Sequence, residues 1–221
     1  MTRTVTRTLS EPESKRVLAA AGVPVLGERV VDTPDEAVVA ARELAPDAAV
    51  VLKLCGDGVA HKTERGLVRL GLHGDDDVRA AAQQLLDAAT SEDGRVGVLV
   101  APMVRGSREL IAGVYRDAQF GACVMLGIGG VLAEALADVA FRLVPVQRVD
   151  AEELLDDLET QALLGPVRGE PPVDRSAVAD VVVALSRLAE TDPEVVSVDV
   201  NPLVVVDGRP VAVDALVEVR A

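Results

Sequence analysis

The chain has 221 residues, a formal net charge of −14, 49% hydrophobic residues and a mean hydropathy of +0.29. This apolar share excludes a disordered chain, and the length fits one large or two small domains. The acidic charge and an aromatic content of 1% exclude the basic groove and the stacking platform that nucleic-acid binding uses. The acidic charge also argues against an anionic membrane surface as a partner.

We expect neither a membrane span nor a secretion signal from the sequence. Its longest uncharged apolar stretch, Gly121 to Ala133, is too short to cross a bilayer and is interrupted by glycines. The first eight residues lack the apolar core of a signal peptide. Cys55 and Cys123 have no neighbouring cysteine with which to form a metal or redox motif, so we expect buried free thiols. These features predict a cytoplasmic protein.

Helix and strand signals alternate along the chain. Capping boxes at Ser10 and Thr33 predict one helix that ends at Gly22 and a second helix over 37–45. Short β-branched runs predict strands, and longer apolar patterns of helical period predict helices. The predicted strands are 48–54, 66–72, 96–100, 110–115 and 122–128, and the later helices are 76–89, 131–140, 151–163 and 174–191.

Residues 102–107 are typical of a connector between an N-terminal and a C-terminal α+β unit. The predicted organisation is therefore an N-terminal segment with its helix (1–22), an N-terminal lobe (23–103) and a C-terminal lobe (104–221).

The most informative segment lies near the C terminus, where Asp207-Gly208 separates two alternating apolar runs and predicts a β-hairpin. With this pair as the loop, Asn201 stands opposite Asp214, and Asp199 lies on the same face. Two carboxylates and an amide oxygen suit Mg²⁺, whose remaining ligands would be water and substrate phosphates. The alternative is the polar, solvent-facing side of an edge strand, which Pro202 partly favours.

Lysine is rare in this chain, which has three lysines and nineteen arginines. Lys53 lies within an apolar predicted strand, where a buried ammonium needs an anionic partner. A nucleotide phosphate would serve, since an ammonium approaches phosphate as a compact point charge. The alternative is a lysine that forms a salt bridge or whose stem lies along apolar surface at a strand end.

A glycine-bearing loop, 56–63, contains His61 and Lys62. A histidine ring nitrogen can accept a phosphoryl group, and the neighbouring ammonium can balance its charge. The alternative is a solvated loop histidine.

Three further features are candidates for contacts to a nucleotide. Gly127-Ile-Gly-Gly130 precedes a predicted helix, where its amides could hold an anion, and Arg142 follows this helix and could reach a phosphate. Glu109 begins a strand just after the connector and could accept the ribose hydroxyls. The alternatives are a tight turn of small residues, a solvated helix end, and a surface ion pair of Glu109 with Arg108 or Arg105.

Six blocks together resemble the ATP-grasp subunit of ADP-forming acyl-CoA synthetases, a family related to succinyl-CoA synthetase. They are Lys53, His61-Lys62-Thr63, Glu109–Val114, Gly127–Gly130, Asp199–Leu203 and Val213–Ala215. The resemblance covers nearly the whole chain and implies an α/β ATP-grasp fold, in which two α+β lobes enclose a cleft for ATP or ADP with Mg²⁺.

The resemblance also implies roles for individual residues. It assigns the phosphates to Lys53, the ribose to Glu109, and Mg²⁺ to Asn201 and Asp214. Adenine is assigned to the backbone of a short stretch: Val100, Ala101, Pro102 and Met103. His61 is expected to take part in a phosphohistidine relay with a histidine on a CoA-binding α subunit.

A CoA-binding, dinucleotide-type domain is not recognisable in the sequence. We therefore expect half of an enzyme, a free nucleotide-binding subunit in a hetero-oligomer that could be α2β2, which interconverts acetate, ATP and CoA with acetyl-CoA, ADP and phosphate. The acyl group is expected to be selected on the α subunit. The alternatives are a regulatory ATP-grasp module of an acyltransferase assembly, and a carboxylate–amine ligase, for which the sequence offers no acceptor site.

Overall fold

The structure, a computed structural model, describes residues 5–56, 58–59, 62, 65–130, 133–167 and 169–221, with only the backbone of 134 and 135. The chain divides into two compact units. The larger unit contains the chain up to Val25 together with Arg105–Ala221, and the smaller unit is Leu26–Val104. The first helix therefore belongs to the larger unit and does not form a segment of its own.

Six α-helices and eleven strands are present in the described residues. The helices are α1 (Glu11–Ala21), α2 (Pro34–Leu44), α3 (Gly74–Asp87), α4 (Ala133–Leu136), α5 (Arg148–Asp156) and α6 (Arg175–Thr191). The strands are β1 (Thr6–Thr8), β2 (Arg29–Val31), β3 (Val50–Gly56), β4 (Val68–Leu72), β5 (Val96–Pro102), β6 (Arg108–Asp117), β7 (Gly121–Ile128), β8 (Val139–Leu143), β9 (Val195–Val206), β10 (Arg209–Ala212) and β11 (Ala215–Arg220).

Local sequence signals explain where three helices begin. The Glu13 carboxylate accepts from the Ser10 amide at 3.0 Å before α1. The Thr33 hydroxyl accepts from the Glu36 amide at 3.3 Å before α2, and Asp174 caps α6 in the same way. Both predicted capping boxes are confirmed. These side chains satisfy amides that a helix leaves without partners at its first turn.

The smaller unit is an antiparallel sheet with the strand order β2-β5-β3-β4. Helices α2 and α3 cover one face, where Leu52, Leu54 and Leu85 are fully buried. Because side chains alternate along a strand, Lys53 and Cys55 of β3 lie on the opposite face. We call this opposite face the open face of the small sheet.

The larger unit is built on a sheet with the order β1-β11-β9-β6-β7-β8, and β10 also pairs with β9. Helices α1, α5 and α6 cover one face, with Leu18, Leu154 and Leu185 fully buried. Alternation along β6 places Glu109 and Tyr115 on the other face, which we call the open face of the large sheet.

Both cores are aliphatic, as the composition predicts. The buried residues of the two main clusters include no aromatic side chain in the described part of the chain. The three aromatic residues are instead exposed, by 58% for Tyr115, 66% for Phe120 and 54% for Phe141.

The prediction of a helix over 131–140 is wrong. Of the described residues in this segment, only those of α4 are helical. Ala137 takes a left-handed backbone conformation with φ of 47°, and the chain continues as strand β8. In β8, Ala140 is buried, while Val139 and Phe141 lie on the open face. Pairing with the free edge of β7 therefore prevails over helix propensity.

The structure also differs from the sequence-based expectation at α5 and at two short strands. The predicted helix over 151–163 is shorter, because α5 ends at Asp156 and a separate 3-10 turn follows at Gln161–Leu163. The sequence does not predict β1 and β2, since three residues carry too little pattern. Among the described residues, no helix is both long and apolar enough to span a membrane.

Candidate nucleotide and metal site

The predicted hairpin is present with the expected register. Val206 pairs with Arg209, and Asp207 and Gly208 form the turn with φ of 49° and 82°. Leu203 then pairs with Ala212, and Val200 pairs with Ala215. The register is the same on both sides of the gap, so Asn201 and Asp214 lie opposite each other between these rungs.

A β-bulge in β9 lies at this point. Leu110 of β6 pairs with Leu203, but Ala112 pairs with Val200, so Asn201 and Pro202 stand against Ile111 alone. The extra residue lets both Val200 and Leu203 be fully buried in the core. Asn201 is left exposed on the strand.

Asp199 completes the predicted oxygen set. It pairs with Leu216 in β11 and with Gly113 in β6, and it is exposed. The surrounding protein nevertheless removes enough water to raise the pKa of Asp199, and the negative charge of Asp214 raises it further. The two carboxylates are therefore near enough to repel each other, and a bound cation would relieve that repulsion.

The donor chemistry at this position fits Mg²⁺. In the described ranges, no group of three or more His, Cys, Asp and Glu side chains could hold a metal ion alone. A cation bound by Asp199, Asp214 and the Asn201 amide would therefore need water and phosphate oxygens to fill its coordination sphere. This incomplete protein shell is how Mg²⁺ is commonly bound next to nucleotides.

Lys53 lies on the smaller unit, in the middle of its sheet. It pairs with Leu99 of β5 and Val68 of β4 and is only 7% exposed. Cys55, Leu99 and Ala101 form a small buried cluster on the same open face. An ammonium at this depth requires negative charge or hydrogen-bond acceptors around it.

The predicted adenine-binding stretch forms the end of β5 and the start of the connector. Val100 and Ala101 are buried, and Pro102 and Met103 are half-buried. The Met103 amide donates to the carbonyl oxygen of Ala49 at 2.8 Å. An adenine ring would therefore have to use other backbone groups of this stretch.

Glu109 lines a pocket of about 260 Å³ in the larger unit, together with Ile128, Gly129, Gly130 and Leu136. This pocket combines one carboxylate with apolar side chains and glycine backbone, and Ser107 and Arg108 also line it. Arg108, one of the two alternative partners considered for Glu109, forms an ion pair with Glu170, and its Nη2–Oε2 distance is 3.3 Å.

Close packing explains Gly127 and Gly129 of the 127–130 segment, and a φ of 84° explains Gly130. A Cβ at Gly127 would lie 2.5 Å from a methyl group of Val139. The Gly129 amide donates to the carbonyl oxygen of Glu109 at 2.7 Å, so it is engaged within the sheet. In the described residues, α4 has only four residues and presents no extended helix N-terminus to an anion. A role for Gly127, Gly129 and Gly130 in nucleotide binding stays a prediction, and Gly129 and Gly130 line the pocket beside Glu109.

Arg142 is in strand β8, whereas the sequence predicted that it follows a helix end. It pairs with Val124, whose side chain is fully buried, so Arg142 lies on the helix-covered face. Its Nη2 atom is 2.6 Å from the Asp157 carboxylate and 3.9 Å from that of Glu153. This placement explains Arg142 as an ion-pair partner of α5 and does not support the predicted phosphate contact.

The histidine predicted to carry the phosphoryl group, His61, lies outside the described residues. Lys62 is described as part of a turn, and its carbonyl oxygen accepts from the Leu67 amide at 2.7 Å. The roles of both residues stay predictions.

Sequence reasoning missed the buried Asp93 and its partner Arg65. Asp93 is 1% exposed, and Arg65 contacts it with both terminal nitrogens. The available signal was the capping-type spacing of Thr90 and Asp93, which the structure shows as a capping box.

Comparison with known proteins agrees with this architecture. The family model for the ATP-grasp domain matches residues 1–219. The chain therefore belongs to the ATP-grasp family.

Within that family, the chain is 35% identical over 212 residues to a Pyrococcus furiosus protein named acetate–CoA ligase [ADP-forming] I subunit beta, covering 95% of this chain and 90% of that one. A structure of the Candidatus Korarchaeum cryptofilum dinucleotide-forming acetyl-coenzyme A synthetase 1 with coenzyme A and Ca-AMPCP superposes with a TM-score of 0.88 at 33% identity, covering 97% and 94% of the two chains.

A second structure of the Korarchaeum enzyme contains coenzyme A and Mg-AMPPCP, with its phosphohistidine segment pointing towards the nucleotide-binding site. Its TM-score is 0.83 at 33% identity, covering 97% of this chain and 93% of that one. The resemblance inferred from the six sequence blocks is thus confirmed.

Proposed function

We propose that this chain is the nucleotide-binding β subunit of an ADP-forming acyl-CoA synthetase. It would work with a CoA-binding α subunit and interconvert a carboxylate, ATP and CoA with acyl-CoA, ADP and phosphate. The observation that carries the proposal is the match to an ADP-forming acetate–CoA ligase β subunit over 95% of this chain. The Mg-AMPPCP in the Korarchaeum structure supports ATP or ADP with a divalent cation as the cofactors.

The proposed reaction passes a phosphoryl group between the two subunits. Phosphate displaces CoA from acyl-CoA and forms an acyl phosphate. A histidine nitrogen then takes the phosphoryl group, so that a P–N bond forms, the P–O bond breaks and the carboxylate leaves. Finally the ADP oxygen takes the phosphoryl group from histidine and gives ATP, and every step is reversible.

The side chains of both units fit the demands of this chemistry. Catalysis of phosphoryl transfer consists mainly of positioning and charge neutralisation. On the larger unit, Asp199, Asn201 and Asp214 would hold Mg²⁺, and Glu109 would bind the ribose. On the smaller unit, Lys53 would contact the phosphates, and the backbone of 100–103 would contact adenine. His61 would be the phosphoryl carrier on this chain, with Lys62 balancing the charge.

The decisive experiment uses the reconstituted complex with a CoA-binding partner chain. The wild-type complex given Mg-ATP should carry acid-labile phosphate on this chain as well as on the partner. His61→Ala should keep the thermal stability and nucleotide affinity but stop ATP-dependent acyl-CoA formation. His73→Ala is the matched control, because His73 is exposed at the start of α3 and should be dispensable.

The outcome also separates the enzyme from a regulatory nucleotide-binding module. A module would bind Mg-ATP but show neither phosphate on histidine nor acyl-CoA formation with any partner. Wild-type turnover by His61→Ala would remove the relay role from this histidine.

A further inference from the structure

A buried carboxylate joins two separate segments of the smaller unit. Asp93 lies in the 3-10 turn Ser91–Asp93 before β5. Its Oδ1 accepts from Arg65 Nη1 at 2.7 Å, and its Oδ2 accepts from Arg65 Nη2 at 2.8 Å. The amide and hydroxyl of Thr90 donate to the same Oδ2 at 2.8 and 2.9 Å. Arg65 comes from the connection between β3 and β4, so the pair ties that connection to the turn.

The beginning of the same connection is held against the same turn. The Gly58 amide donates to the carbonyl oxygen of Asp93 at 3.3 Å. A Cβ at Gly58 would lie 2.4 Å from the carbonyl oxygen of Glu92, and one at Gly56 would lie 2.7 Å from that of Arg95. Any side chain at these positions would collide with backbone. Residues 92–95 therefore contact the connection at both of its ends.

The connection between these contacts contains the sequence His61-Lys62. Phosphoryl transfer depends on the position of the accepting atom, and a misplacement of about 1 Å can cost about 100-fold in rate. We propose that Arg65 and Asp93 are positioning residues, a clamp that holds the His61-bearing connection in place for phosphoryl transfer. This inference rests on the proposed function.

The chemistry of the pair suits a rigid clamp. A guanidinium matches a carboxylate with two parallel hydrogen bonds, whereas an ammonium cannot reproduce that geometry. Hydrogen bonding by Arg65, followed by that of the Thr90 amide, lowers the pKa of Asp93 far below the ordinary carboxyl value. Asp93 thus remains ionised at neutral pH, and the clamp would be lost only on strong acidification.

The test compares four variants of this pair with one control in the reconstituted complex. The variants are Arg65→Lys, Arg65→Met, Asp93→Asn and the double variant Arg65→Met with Asp93→Asn. The control is Arg95→Lys, because Arg95 follows the same turn but forms an exposed ion pair with Asp32. The measurements are kcat and KM for ATP-dependent acyl-CoA formation, Mg-nucleotide affinity, the rate of acid-labile phosphate formation on this chain, and thermal unfolding.

We expect Arg65→Lys and Asp93→Asn to slow phosphate formation by about 10- to 100-fold, while nucleotide affinity stays within about twofold. The double variant should be no slower than the slower of its single variants, because both remove one clamp. Arg95→Lys should behave as wild type. If Asp93→Asn does not fold, Arg65→Lys carries the test, since it retains a cation beside the buried carboxylate.

Two results would overturn the clamp. One is a wild-type rate in folded Arg65→Lys and Asp93→Asn. The other is a loss of rate matched by an equal loss of nucleotide affinity, which would mean that the whole unit is disturbed. If His61→Ala is inactive while the clamp variants are normal, only the clamp fails. If His61→Ala is fully active, the relay role fails, and the clamp fails with it.

Discussion

Asp214 is the residue on which the metal assignment depends most directly. It contributes a carboxylate opposite Asn201 in the hairpin, and its side chain does not belong to the buried core. Asp214→Asn removes one anionic ligand and leaves the strand pairing in place. We therefore expect weaker binding of Mg-nucleotide and an unchanged thermal stability. Calorimetric titration with ATP, with and without Mg²⁺, measures the binding.

The control for this variant is Asp207→Asn in the same hairpin. Asp207 lies at the turn with φ of 49°, a conformation that asparagine tolerates well. Asp207→Asn should leave the magnesium-dependent affinity for nucleotide unchanged. Equal affinities for Asp214→Asn and wild type would show that Asp214 is not a metal ligand.

Lys53 offers a second test at the residue scale. Lys53→Met keeps the aliphatic stem in its buried strand and deletes the charge. If the ammonium contacts nucleotide phosphate, affinity should fall by about 1.5–3 kcal/mol, or about 10- to 150-fold. Isothermal titration with ATP measures this loss.

Lys53→Arg is the informative companion to this variant. A planar fork cannot occupy a site shaped for a point charge, so we expect only partial recovery of affinity. Full activity of Lys53→Arg would mean that the site requires positive charge alone. Unchanged affinity in Lys53→Met would assign Lys53 a structural role.

At the scale of elements, the location of Arg142 in strand β8 decides between two roles for this residue. At the end of a helix that follows a glycine turn, Arg142 would be a phosphate ligand, but in β8 it forms an ion pair with Asp157, the residue after α5. We expect Arg142→Met to cost at most about 1 kcal/mol in the free energy of unfolding, since partly exposed ion pairs contribute little. Nucleotide affinity should not change. A clear loss of affinity would instead support the phosphate role.

At the scale of the whole molecule, each unit has its own aliphatic core. Leu85→Ala opens a cavity in the core of the smaller unit, where Leu85 is fully buried, and should cost about 2–5 kcal/mol. Hydrogen exchange should show the loss of protection in the strands of 26–104. Urea unfolding measures the change in free energy.

Leu70→Ala is the matched control in the same unit. Leu70 is 64% exposed on β4, so its truncation should change the free energy of unfolding by about 0.5 kcal/mol or less. A similar cost for both variants would contradict the assignment of Leu85 to a packed core.

Features that depend on neighbouring residues can be predicted from the amino-acid sequence of this protein. Helix α1 starts at Ser10 because the Glu13 carboxylate accepts from the Ser10 amide, and helix α2 starts at Thr33 because the Thr33 hydroxyl accepts from the Glu36 amide. Asp207-Gly208 sets the hairpin register because a two-residue turn fixes which residues of the two strands stand opposite each other. The aliphatic core follows from composition. The six blocks of the resemblance are also local, so the sequence alone is sufficient to infer the family.

Features that depend on distant residues are settled only when the chain folds. The segment 139–143 becomes a strand because the edge of β7 is available, and its own sequence does not reveal that edge. Arg142 therefore meets α5, and Arg65 meets Asp93 across 28 positions of sequence. Such pairs form where folding brings two elements together and where burial makes an unpaired charge costly. The local sequence pattern indicates neither condition.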